Sequence, residues 1–220
     1  MPIPNHTIFG KRITDNSGVS FGEVRKISDE SEQLRYLKRR LEAYLIEQTD
    51  PMGERKIYSP FPLTVLTCVA SETLGRIIEP VLVYEKDPRK RQEIPKIVSI
   101  KVYGMLDKKL TRPLTQEYKE AMQIIWPSDD IKSISSYSEL FHSYLRTSFI
   151  HGYRGKNVFL TEEITSWIFE EGSLYLNPYW FWTAYKNTFE NCFSKILDTK
   201  EKNNPLRRNA LDYFYRLINE

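Results

Sequence analysis

Cysteine and histidine are both scarce in this chain, and their scarcity closes off several chemistries. There are two cysteines and three histidines in 220 residues. Cys68 and Cys192 lie far apart, each within an apolar helical pattern, so they read as buried thiols of a reducing compartment rather than a disulfide framework. His6, His142 and His151 form no zinc-type spacing with them, and no carboxylate cluster is present, so neither a metal centre nor a cofactor is expected. The glycines of "GYRGK" lack the spacing of a phosphate-binding loop. An excess of one charge is missing too. With 32 basic against 29 acidic residues the net charge is +3, which permits a phosphate-rich partner without demanding one. Met1 to Gly10 lacks the apolar run of a signal peptide. The most apolar stretch, Leu63 to Val83, is interrupted by Glu72, Arg76 and Glu79, the pattern of a core helix rather than a membrane span. A cytoplasmic protein with no membrane partner is the expectation.

What is present suits one full-sized core, because 40% of the chain is hydrophobic and 28% charged. Residues 1 to 30 are polar with little periodicity and read as an arm or irregular strands. Residues 31 to 220 read as one helical domain. Leu34, Leu37, Leu41, Tyr44 and Leu45 mark a first helix over Ser31 to Gln48. Its other face carries Arg35, Lys38, Arg39 and Arg40, as a solvated face does. "PMGERKIYSPFP" reads as a linker, and a buried helix follows from Pro62 to about Val83. There Glu72 and Arg76 stand four residues apart, as a structural ion pair does. A charged loop containing Lys86, Arg89, Lys90 and Arg91 precedes "IVSIKVYG", which is strand-like. Leu114 to Trp126 is helical, and Ser136 opens a helix that runs to about His151. "VFLT" and "SLYLN" resemble a hairpin or paired short strands. Asn177–Pro178 and Asn204–Pro205 are start signals for two further helices. The fold class is therefore mainly α, a helical bundle with a small β insertion or hairpin.

The stretch "LFHSYLRTSFIHGYRGKNVFL" carries the chemistry. Gly152 suits the position just past a helix end, which makes His151 the last helical residue or nearly so. An imidazole there can exchange protons near neutral pH, or it can simply cap the last carbonyls. Arg146 lies five residues earlier, about 140° away around an ideal helix. Convergence of the two therefore needs unwinding at Gly152, a wrapped Arg side chain or a second subunit. His142, one turn before Arg146 among apolar neighbours, reads as a structural histidine.

The sequence Arg146–Thr147–Ser148–Phe149–Ile150–His151 resembles the Arg-x4–6-His signature of the HEPN superfamily of helical domains. The order of elements is similar over residues 31 to 198, with a buried early helix, the motif at a later helix end and a long aromatic helix after it. The resemblance implies a HEPN-like bundle and a metal-independent endoribonuclease that acts as a homodimer on single-stranded RNA. His151 would be the general acid or base, Arg146 the phosphate clamp, and Thr147 an orienting group. Active members often carry Asn, Asp or His directly after the Arg, where this chain has Thr147. Tyr153, Arg154 and Lys156, beside the motif, are candidate RNA-binding residues by charge and stacking. A toxin or defence effector restrained by an inhibitory partner protein fits this reading. The alternative is a non-catalytic RNA- or protein-binding scaffold, to which the aromatic run Tyr179–Trp180–Phe181–Trp182 also points. Four consecutive large rings cannot share one core, so some must face an interface or a second packed surface.

Overall fold

The computed structural model describes residues 3–79, 88–125, 133–145, 158–198 and 204–219. It is mainly helical with two small sheets, and several of its helices begin where side chains can satisfy their first N–H groups. Asp29 caps α2 (Glu30–Leu41) by accepting from Glu32 N at 2.7 Å. Asn177 caps α8 (Pro178–Leu197), its Oδ1 accepting from Tyr179 N and Trp180 N at 3.0 and 3.1 Å. Asn204 does the same for α9 (Pro205–Asn219), accepting from Leu206 N at 2.9 Å. Both Asn–Pro start signals are thus used as the sequence indicates.

Of the two readings of the N-terminal segment, an arm or irregular strands, residues 3–30 take the second. β1 (Ile8–Lys11) and β2 (Gly18–Ser20) pair antiparallel with a register irregularity between Ile8 and Gly10. The helical turn α1 (Phe21–Val24) follows, closed by a capping box between Ser20 and Glu23. Phe9, Val19, Phe21 and Val24 are buried, so this segment is held by the hydrophobic core. Its polar composition hides a handful of well-placed apolar side chains.

After α2 the chain widens into one π turn (Glu42–Ile46) and continues as α3 (Glu47–Gly53), which contains Pro51. The expected linker therefore starts only near Arg55, where φ reaches 61°. The basic face of α2 is only partly solvated. Arg35 is exposed, but Lys38 pairs with Glu190 at 2.8 Å and Arg39 with Glu47 at 2.5 Å. The Arg40 guanidinium lies over the rings of Phe9, Tyr44 and Phe21, 4.9, 5.0 and 5.6 Å from their centroids.

α4 (Pro60–Ile78) has the length and apolarity of a membrane-crossing helix, yet ten of its residues are buried within the bundle. Its closest partner is α5 (Pro88–Leu106), which corrects the strand expected over "IVSIKVYG". Ile94, Val98 and Val102 recur every four residues and are buried, so the β-branched run follows a helical period. Packing against α4 outweighs local strand propensity. A 3-10 turn (Lys108–Thr111) and α6 (Gln116–Ile125) lead to α7 (Tyr137–Leu145).

The second sheet has the order β3 (Val158–Leu160), β5 (Ser173–Leu176), β4 (Trp167–Glu170). β3 and β5 are paired, as expected, but in parallel. The hairpin is formed by β4 and β5 instead. Its two-residue turn places Glu171 and Gly172 at φ 47° and 72°, the twist that suits a tight hairpin.

Two apolar clusters form the core. One joins the N-terminal hairpin, α2, α4, α8 and α9; the other joins α5, α7 and the second sheet, reached by Cys68 and Phe181. The aromatic run is divided between them. Tyr179 and Trp182 enter the first, while Phe181 enters the second and Trp180 packs on it. A second packed surface accounts for all four rings. Both cysteines are free and buried.

Candidate functional site

Arg146, Thr147 and His151, with Tyr153, Arg154 and Lys156, lie outside the described residues. The structure does define what stands on either side of them. α7 is described up to Leu145, the residue before Arg146, and β3 is described from Val158, directly after the segment. Leu145 is fully buried in the second cluster and Val158 packs on the same cluster.

The sequence of α7 explains how its described turns are held. Ser136 accepts from Glu139 N at 3.3 Å, while the Glu139 carboxylate accepts from Ser135 N at 2.7 Å. Ser138, Leu140, Phe141, His142, Tyr144 and Leu145 are buried. Phe141 meets Tyr103, Phe181, Trp167 and Phe169 edge-on. The Tyr144 hydroxyl donates to the Gly172 carbonyl at 2.6 Å. Burial pushes that phenol up to about 12, so Tyr144 serves near neutral pH as a donor and not as a base.

His142 is buried, with its ring 6.3 Å from that of Tyr103, in line with a structural role. Arg76 donates to Glu72 Oε1 at 2.7 Å from Nη2 and 3.2 Å from Nε, the one-turn pair expected. Burial also pushes the Cys68 thiol up to about 12, which leaves no thiolate for nucleophilic work. The described residues bring together no set of three or more His, Cys, Asp or Glu able to hold a metal ion.

Two surface features near α7 escape the sequence reading. Lys108, Lys109 and Arg112 are exposed on and beside the 3-10 turn. Asp107 fixes that turn by accepting from Lys109 N at 2.8 Å, and the Arg112 carbonyl accepts from Tyr137 N at 3.1 Å. This sets three cations next to the start of α7. "KKLTR" was legible as a basic cluster, but nothing in the sequence says that it borders α7. The second feature is an outward row on the β3–β5–β4 sheet, where exposed Phe159 and Ile168 flank half-buried Tyr175 as its cross-strand partners. An open cleft along Gln116, Lys119, Glu120 and Gln123 of α6 mixes one cation with one carboxylate, so it has no charge preference.

No protein-family model, curated protein or solved structure matches the chain.

Proposed function

We propose that the chain is a HEPN-type, metal-independent endoribonuclease acting on single-stranded RNA as a homodimer. The observation that carries this reading is the sequence Arg146-x4-His151, directly after the described residues of α7, most of which are buried, in a mainly helical fold. Two copies of the motif facing one another supply an acid and a base. One His151 takes the proton of the ribose 2′-hydroxyl as its oxygen attacks the adjacent phosphorus. The partner's histidine protonates the departing 5′-oxygen. The products are a 2′,3′-cyclic phosphate and a free 5′-hydroxyl. Arg146, permanently charged and forked, binds the phosphate and neutralises the charge that develops on the phosphorane. Thr147 orients the phosphate or the imidazole. Tyr153, Arg154 and Lys156 hold the strand by stacking and charge, and Lys108, Lys109 and Arg112 extend the cationic track past the other end of α7.

The test is incubation of purified protein with single-stranded RNA in EDTA, beside His151→Ala and a DNA of the same sequence. The expected result is cleavage to cyclic-phosphate ends by the wild type, a loss of about 10²- to 10⁴-fold in the variant and intact DNA. Equal cleavage by both proteins, or none by either across pH and RNA sequence, removes the proposal. Thr147 favours a second reading, a non-catalytic RNA-binding module, and RNA binding without cleavage identifies it.

A further inference from the structure

The β3–β5–β4 sheet has two unlike faces. Val158, Leu160, Leu174, Leu176, Trp167 and Phe169 turn inward and pack in the second cluster. By the two-residue alternation of strands, Phe159, Tyr175 and Ile168 turn outward. Phe159 pairs with Tyr175, which pairs with Ile168, so the three form one row across all three strands. Phe159 remains 50% and Ile168 45% exposed. The outward face of a small surface sheet is ordinarily polar, and this one is apolar across its width.

Charge and edges indicate what fits it. Glu170 shares the outward face with Ile168, about 7 Å along β4, and Glu171 follows in the turn. Glu163 is exposed in the β3–β4 connection. Glu162 is paired with Arg55 at 3.1 Å, whereas Glu163, Glu170 and Glu171 carry no ion pair among the described residues. β3 and β4 are the outermost strands, and no described strand pairs with their outer edges. Phe159 and Tyr175 stack with centroids 5.1 Å apart and planes 19° apart, so one face of each ring is already covered. Carboxylates repel phosphates, and two copies of this face would oppose like charges.

We propose that this outer face docks a basic, apolar extended segment of a partner protein, held by the Phe159–Tyr175–Ile168 row, paired with the free carboxylates and able to add backbone bonds at a sheet edge. The proposal stands apart from the ribonuclease reading. It bears on the same part of the chain, however, because β3 directly follows the motif segment in sequence and Tyr144 ties the β4–β5 turn to the helix before it.

The test is selection of short random peptides displayed on phage against the full chain, followed by solution binding of the recovered peptides. Peptides alternating basic and apolar residues are expected. Their affinity should fall about tenfold or more with Ile168→Glu and with Phe159→Ser, both at exposed positions, and it should weaken as salt rises. Glu170→Lys with Glu171→Lys leaves the apolar row intact and should reject the same peptides. Circular dichroism of each variant reads whether the fold is kept. Acidic or charge-indifferent peptides, or binding unaffected by all of these variants, overturn the proposal. Self-association lost in Ile168→Glu assigns the face to a second copy instead, and single-stranded RNA binding lost in that variant assigns it to nucleic acid; either overturns it. RNA cleavage is measured on separate samples, so failure here leaves the ribonuclease test intact, and the reverse also holds.

Discussion

Tyr144 reaches across from α7 and donates its hydroxyl to the carbonyl of Gly172 at 2.6 Å, tying the helix before the motif to the tightest turn of the second sheet. Both groups are buried, so each would lose water without gaining this partner. Tyr144→Phe removes the donor and keeps the ring, which still packs edge-on against Phe169. The expected cost is about 1–2 kcal/mol, read as a lower urea midpoint. Faster amide exchange should be confined to α7 and the β4–β5 turn.

α4 and α5 approach closely at Gly75. A Cβ built there would lie 2.5 Å from the Val98 carbonyl oxygen and 2.7 Å from Val98 Cβ. The nearest obstacle is backbone, which cannot swing aside as a side chain does. Gly75→Ala should therefore separate the two helices and destabilise by about 1–3 kcal/mol, despite alanine's higher helix propensity. A thermal melt decides it. An unchanged or raised Tm would mean that α5 can slide without cost.

These two contacts show where sequence reading succeeds and where it stops. Caps are local, so Asn177–Pro178 and Asn204–Pro205 announced α8 and α9 correctly. The burial of Cys68 and Cys192 followed from apolar neighbours. The helix over Pro88–Leu106 is hidden in the sequence because Ile97, Val98, Ile100 and Val102 are β-branched and Pro95 suggests a break. The spacing of Ile94, Val98 and Val102 held the answer, but only the facing α4 gives that spacing its meaning. The β4–β5 hairpin is hard to see in the sequence because its turn is Glu–Gly, a weaker signal than Asn–Gly. Of the candidate site, the residue types and their spacing are legible. Whether Arg146 and His151 converge depends on the path of residues 146–157 or on a second subunit, neither of which a local pattern encodes.

Acid should weaken the N-terminal hairpin in a defined way. Glu23 accepts from the Ser20 backbone N–H, from the Ser20 hydroxyl and from Arg12. In that order these hold its carboxyl down at about 2. A carboxyl whose folded pKa lies below the unfolded value, roughly 4.3, binds protons less readily when folded. Its contribution is therefore complete above the unfolded pKa and is lost as pH falls towards 2. Glu23→Gln should lower the denaturation midpoint near neutral pH, and the gap from wild type should close between about pH 5 and pH 2. A gap independent of pH would mean that the capping geometry, and not the charge, is what matters.

If Arg154 and Lys156 contact phosphates, RNA affinity must fall with salt. Each neutralised phosphate releases counterions, so log K falls linearly with log salt. Arg154→Ala and Lys156→Ala should each reduce that slope by about 1 while weakening all single-stranded sequences alike. Tyr153→Ala should lower affinity with little change in slope, because stacking releases few ions. Fluorescence anisotropy across a salt series separates the two behaviours, and an unchanged slope in both charge variants would remove these residues from the RNA path.

Under the proposed ribonuclease reading, the roles of Arg146 and Thr147 can be separated by substitutions that each keep half of what the residue offers. Arg146→Lys retains the positive charge but replaces a planar fork with a point charge, so it can attract the phosphate without matching two of its oxygens. Ground-state RNA affinity should change little, whereas kcat should fall by about 10²- to 10³-fold, the usual cost of losing one preorganised donor to a developing oxyanion. Thr147→Val keeps shape and removes only the hydroxyl. If that hydroxyl orients the imidazole or the phosphate, kcat should drop by about tenfold, one hydrogen bond's worth, with KM unchanged. Single-turnover cleavage at saturating enzyme reads the chemical step directly. Full activity in Arg146→Lys would show that simple charge neutralisation suffices at this phosphate and that the fork has no part in the transition state.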